Sequence, residues 1–221
     1  MLFDPRPLEA FRAPERVPRR IRSARLELRP FELADAEAFS DLYVSSYPGH
    51  LEPWSPPADL PADPIEQHRA AREYVCLAME SWDEGRDHRF AIIDRASARL
   101  IGQIGLTGIV RGVSQSCFIG YWVGVAHTGR GIASEAVVLA MGFAFETLCL
   151  HRISLWIGVG NAASHRVAEK LGLRREGVAE RALFLGRQWH DTVIYAMTLE
   201  EWLLRRDELR QRFTPQANDH S

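Results

Sequence analysis

The sequence predicts an α/β domain of the α+β kind, with one mostly antiparallel sheet of seven strands and about four flanking helices. Three observations predict it. Seven segments carry strand patterning, and three of them follow one another across short turns, as an antiparallel meander does. Two helical patterns precede that meander instead of alternating with its strands, which separates the chain from a doubly wound parallel sheet. Finally, an unbroken apolar run, Cys117 to Val125, reads as a strand covered on both faces and leads through a small-residue turn into a helix.

Residues Met1 to Arg25 hold seven arginines, three acids and four prolines without sustained periodicity, so residues 1–21 are expected to be an arm. Arg25 to Pro30 alternates as a first strand, and Glu32 to Val44 carries Phe39, Leu42 and Tyr43 on one helical face. Ser45 to Asp63 is a long loop rich in proline and aromatics, and a loop of that length in a compact domain tends to be functional. Within it Trp54, set between prolines, makes a good wall for a peptide. Asp63 is placed to cap a helix with Pro64 at its first position and Glu66 completing a capping box; Ala71, Tyr74, Val75, Ala78 and Trp82 form its buried stripe. Strands follow at Arg89 to Asp94, Leu100 to Val110 and Gln115 to Val125. Beyond the next helix come a strand at His151 to Val159, a helix at Asn161 to Leu171 closed by Gly172, strands at Arg174 to Leu185 and Trp189 to Thr198, and a charged helix at Glu201 to Phe213. The main domain is placed at residues 22–202, with a C-terminal helix and tail at 203–221.

The helix after the glycine turn has Ile132, Ala136, Ala140, Phe143 and Ala133, Val137, Ala144, Leu148 at the spacing of one buried stripe. A turn built on Gly129, Arg130 and Gly131 leaves N–H groups of that helix terminus free and lets a ligand approach the backbone. Such a terminus is an anion site, suited to phosphate or pyrophosphate. A Walker loop needs Lys and then Ser or Thr after the last glycine, where Ile132 and Ala133 stand. The dinucleotide fingerprint lacks its third glycine and comes too late in the strand order.

Thr128, Gly129, Arg130, Gly131, Ile132 and Ala133 resemble the acyl-CoA pyrophosphate loop of the GNAT N-acetyltransferases, with Thr128 departing from the usual Gln or Arg. Asn161, Ala162, Ala163, Ser164 and then Lys170, Leu171, Gly172, Leu173 resemble the second signature of that family's RimJ/RimL branch. Leu51 to Pro56, Val110 to Gly112 and Gln188 to Asp191 extend the likeness to the RimJ-type ribosomal-protein-alanine N-acetyltransferases over about residues 22–202. The resemblance implies the GNAT fold, a mixed sheet whose strands on either side of the glycine-turn helix splay apart at the acyl-CoA site. It also implies acetyl-CoA as co-substrate, with Val123, Val125, Gly129, Arg130, Gly131, Ile132, Ala133, Ser134, Asn161 and Ser164 around it and a bulge near Val123 to Val125. Ser164 would protonate the leaving thiolate, Asn161 would hold the pantetheine or acetyl end, and Trp54 and Tyr121 would face the acceptor. The acceptor so implied is a protein N-terminus, the N-terminal alanine of a ribosomal protein; a small amine such as an antibiotic, polyamine or amino acid is the alternative, and a coenzyme-binding sensor without turnover a third. Leu183 stands where some relatives carry a glutamate base. Glu52, His127, Glu135, Glu180 and Asp191 remain base candidates, none assigned.

Composition narrows the partners. Twenty-seven basic and 29 acidic residues give a net charge of -2, so nothing drives the whole chain toward nucleic acid or anionic membranes. No apolar run reaches ~18 residues and no signal-peptide pattern is present, which predicts a cytoplasmic protein, monomer or homodimer. Cys76, Cys117 and Cys149 sit in apolar segments without paired spacing and are expected as buried free thiols; no histidine spacing calls for a metal.

Overall fold

The computed structural model describes residues 17–56 and 60–214. Most of the arm, residues 57–59 of the proline-rich loop and residues 215–221 of the expected tail lie outside that range. Strand β1 is Ile21–Arg22 and β2 Leu26–Pro30; helix α1 is Ala36–Ser46 and α2 Pro64–Asp83; β3 is His88–Asp94, β4 Arg99–Val110 and β5 Ser116–Val123. Helix α3, Ile132–Gly142, leads to β6, Arg152–Gly158; α4, Ala162–Lys170, precedes β7, Arg174–Leu185, β8, Gln188–Thr198, and α5, Leu199–Phe213.

The sheet has eight strands in the order β1-β2-β3-β4-β5-β6-β8-β7. The expected count was seven; the addition is β1, two residues astride the expected boundary between arm and main domain, paired through Ile21↔Leu28 and Arg22↔Glu27. Two residues are too few to show an alternating pattern, which is why the sequence concealed it. Among the described residues five α-helices flank the sheet where about four were expected.

Alternation along the strands sorts the core into two layers. On β3, Phe90 and Ile92 join Ile104, Ile119, Ile153 and the apolar residues of α3 on one face, while Ala91 and Ile93 join Phe31, Phe39 and Val75 under α1 and α2 on the other. Helix α3 is buried nearly all round, not along one stripe, because α5 covers its outer side: Trp202 and Leu209 are buried, and Trp202 Nε1 donates to Glu146 Oε1 at 2.9 Å. Thr198 and Glu201 close a capping box that starts α5 directly from β8. At α2, Asp63 accepts from the Ile65 N–H as expected, but Glu66 pairs with Arg69 instead of closing a box.

All three cysteines are free. Only Cys117 is buried, whereas Cys76 is half-buried and Cys149 exposed at a turn with φ 53°. The turn faces Cys149 outward between buried Leu148 and Leu150. Among the described residues no helix is long and apolar enough to cross a membrane.

The pair β5/β6 decides where the site lies. It is parallel, and it is zipped for only three residue pairs, Ser116↔Arg152, Cys117↔Ile153 and Phe118↔Ser154. Beyond them β6 stays paired to β8 as far as Gly158↔Thr192, and β5 stays paired to β4 as far as Gly102↔Val123. The two strands diverge between fixed neighbours and leave a wedge in the sheet.

Candidate active site

The wedge opens into a cavity of about 520 Å³ that reaches both faces of the sheet. One wall is the turn into α3. Gly129 and Gly131 have φ of 74° and 78°, the left-handed region that a side chain would strain, and Gly131 caps α3 with no side chain capping the terminus. Ile132, Ala133 and Ser134 line the cavity with the first-turn N–H groups that an α-helix leaves unpaired.

The loop is held from behind. Glu135, fully buried, accepts from Ser23 Oγ at 2.5 Å and from Arg25 Nε at 2.8 Å, and a second Arg25 nitrogen pairs with it. The same guanidinium donates to the Arg130 carbonyl at 3.1 Å. Glu135 is therefore consumed by the strap between β2 and α3 and is no base at this cavity. Asp191 Oδ1 accepts the Arg181 N–H at 2.8 Å, and neither Asp191, Glu52 nor Glu180 lines the cavity. His127 does line it, as does Leu183.

The wedge edge is formed by β5. Gly124 donates its N–H to Ile101 O at 2.9 Å, so Val123 and Gly102 form a pair without mutual hydrogen bonds. The backbone groups of Val123 and Tyr121 accordingly face the gap. His50 Nε2 lies 3.1 Å from Val123 O, and as the partner of a carbonyl it must carry the proton. The Val125 N–H is spent on Ser46 Oγ at 3.1 Å. The expected bulge near Val123 to Val125 is absent from the β4/β5 ladder, whose irregularity falls between Thr107 and Val110; the chain leaves the sheet at Gly124, where a Cβ would stand 2.5 Å from Leu42 Cδ1.

Across the wedge, α4 begins at Asn161, whose side chain accepts the Ser164 N–H at 3.1 Å. Its C-terminus is closed by Gly172 at φ 61°. Ser164 lines the cavity next to Tyr121, whose hydroxyl is buried without a hydrogen bond of normal geometry. Burial pushes the Tyr121 phenol up to about 12, against a smaller opposing pull from Ser164. Alternation puts Tyr121 with Ile119 and Val123 on the α3 and α4 face, whereas Trp54 lies on the other. Trp54 packs flat against the end of β6, so close that a Cβ on Gly158 or Gly160 would come within 3.0 Å of its ring, and its ring centroid lies 5.7 Å from that of His190. Gly186 in the β7/β8 turn ties the Trp54 loop down through its N–H to Ser55 O at 3.0 Å.

The cavity thus gathers Trp54, Tyr121, Val123, Gly129, Gly131, Ile132, Ala133, Ser134, Asn161 and Ser164, and leaves Val125 and Arg130 off its wall. It also brings in Lys170 of the second signature, and residues the sequence reading did not single out: His50, Gln103, Trp156 and Arg166. For α4 a signal existed, since 163, 166, 167 and 170 recur at helical spacing on the face that carries Ser164. No carboxylate lines the cavity among the described residues, and no group of three or more His, Cys, Asp or Glu there could hold a metal ion.

A phosphate-accepting loop, a wedge with free strand edges and an opening on the opposite face suit a long thioester on one side and a nucleophile on the other. Residues 25–174 match the model of the acetyltransferase (GNAT) domain. The chain belongs to the GNAT acetyltransferases. This acetyltransferase is 34% identical over 170 residues to a Bacillus subtilis (strain 168) protein named "Probable N-acetyltransferase YjcK", covering 77% of this chain and 92% of that one. It is 28% identical over 186 residues to the [ribosomal protein uS5]-alanine N-acetyltransferase of Escherichia coli (strain K12), covering 83% and 92%. Among solved structures, Mycobacterium smegmatis RimJ in complex with CoA-disulfide superposes with a TM-score of 0.78 at 27% identity, over 90% of this GNAT chain and 95% of that one.

Proposed function

We propose that this N-acetyltransferase transfers the acetyl group of acetyl-CoA to the α-amine of a protein N-terminus, with the N-terminal alanine of a ribosomal protein as the acceptor. The observation that carries the reading is the two-sided wedge, with a phosphate loop on one face and a tryptophan-walled opening on the other. The uS5-alanine relative and the RimJ neighbour support the choice of acceptor.

In this reading the pyrophosphate rests on the N–H groups of Ile132 to Ser134, and pantetheine runs along the gap-facing edge of β5 at Tyr121 and Val123 as an added strand. The amine enters past Trp54, and the Val123 N–H receives the developing oxyanion. Ser164 returns a proton to the departing thiolate, with the protonated Tyr121 phenol beside it. An α-amine with pKa of about 7.7 to 8.0 supplies enough neutral nucleophile for a wall without carboxylates. The rate should therefore rise with pH to a plateau near the acceptor's own pKa, and Asp191→Asn should leave that profile in place.

Thiol release from acetyl-CoA, measured with Ala-, Ser- and Met-starting peptides beside a panel of free amines, tests the acceptor. Selective turnover of the Ala peptide supports the reading. Turnover of small amines alone overturns it while leaving the coenzyme site intact, and bound coenzyme without turnover on any amine points to a sensor.

A further inference from the structure

The cavity wall bears two full positive charges that the reaction scheme above does not use. Arg166 and Lys170 lie one turn apart on α4, both line the cavity, and among the described residues neither makes a salt bridge or a side-chain hydrogen bond. Arg25, Arg29, Arg152, Arg174 and Arg210, by contrast, are held by acids. Lys170 is also the single lysine in a chain with 27 basic residues. With no carboxylate on the wall to neutralise them, two cations there impose a field that favours a multiply charged anion.

Position narrows which anion. Asn161 and Ser164 mark the thioester end of α4, and Lys170, six residues beyond Ser164, lies about 9 Å further along the helix axis. The N–H groups of the α3 terminus already suit a pyrophosphate, through neutral donors. An arginine fork and a lysine point charge suit a further, terminal phosphate dianion.

We propose that Arg166 and Lys170 form a subsite for the phosphomonoester on the ribose of the coenzyme, so that the enzyme discriminates acetyl-CoA from its 3′-dephospho form. The inference rests on the acetyl-CoA reading above. The bland alternative is that both residues are a solvated helix face, with Lys170 favourable at the helix C-terminus. That role would affect the two coenzymes equally.

The test compares kcat/KM for acetyl-CoA and acetyl-3′-dephospho-CoA on one acceptor, in wild type, Arg166→Gln/Lys170→Gln and Arg99→Gln, an exposed cation away from the cavity. Wild type should prefer acetyl-CoA by about tenfold or more, the size expected of one or two charge-assisted hydrogen bonds. The double variant should bring the ratio close to one by losing on acetyl-CoA alone, and Arg99→Gln should keep it. A wild-type ratio near one, or equal losses on both coenzymes in the double variant, overturns the proposal. Absence of any acetyl-CoA turnover in wild type would instead sink the acetyltransferase reading on which it stands. Should the double variant fold poorly, Lys170→Glu alone must lower the ratio. An activity-free readout is available too: CoA should shield Lys170 from an amine-reactive label, read by peptide mass, better than dephospho-CoA does.

Discussion

Asn161 and Ser164 do two jobs on one turn. The Asn161 side chain caps α4 through the Ser164 N–H, which leaves the Ser164 hydroxyl at the cavity wall next to Tyr121. Asn161→Ala should cost about 1 kcal/mol in a urea melt as a lost N-cap. Ser164→Ala should lower kcat by tenfold or more with KM for acetyl-CoA within about twofold, the split expected of a proton donor. A methyl group at Gly158 separates the two substrates in the opposite sense. The backbone there accepts alanine, but its Cβ would stand 3.0 Å from Trp54 Cζ3. Gly158→Ala should raise the acceptor KM severalfold and leave that of acetyl-CoA unchanged. Asn161 and Ser164 were legible because their partners are three residues apart. The Trp54 contact was not, since Trp54 and Gly158 are brought together only by the sheet, and neither residue alone signals the other.

At the scale of elements, the strap from β2 to α3 shows what local pattern reveals and what it leaves out. The glycine turn and the helix after it follow from small residues and period, and both stand where the sequence put them. That Glu135 would be buried against Arg25, 110 positions away, had no local signal; as an acid in a first helical turn it read as an ordinary dipole charge. Arg25→Ala leaves that carboxylate buried without its cation, a loss of roughly 3 kcal/mol by denaturant melt, whereas Arg25→Met with Glu135→Leu should recover most of it. Coenzyme affinity should stay weakened in the double variant, because the Arg130 carbonyl has lost its anchor too. The β1 strand was hidden for a related reason. Its two residues are ordered by β2, not by any propensity of their own.

At the scale of the whole molecule, the layered core carries one buried group that ties stability to pH. His88 is buried between Trp82 and Phe143 with Nδ1 unpartnered, and burial, helped by Arg111 and opposed by Asp87, brings its pKa down to about 4 from 6.5. The unfolded chain takes up this proton below pH 6.5 while the folded protein refuses it. The contribution is therefore full above pH 6.5 and is lost as pH falls toward 4, by about 3 kcal/mol. Thermal melts from pH 7 to 4 should show that slope, and His88→Phe should flatten it. The order of strands and helices was readable from alternation and period, but the place where a parallel seam stops zipping depends on β4 and β8 holding β5 and β6 apart. That seam also makes the sheet uneven in time. Amides at Tyr121 and Val123 face the gap without a strand across from them. They should exchange their hydrogens for deuterium ahead of the β4-facing amides of the same strand, and the proposed placing of pantetheine as the missing strand requires them to slow sharply when acetyl-CoA is added.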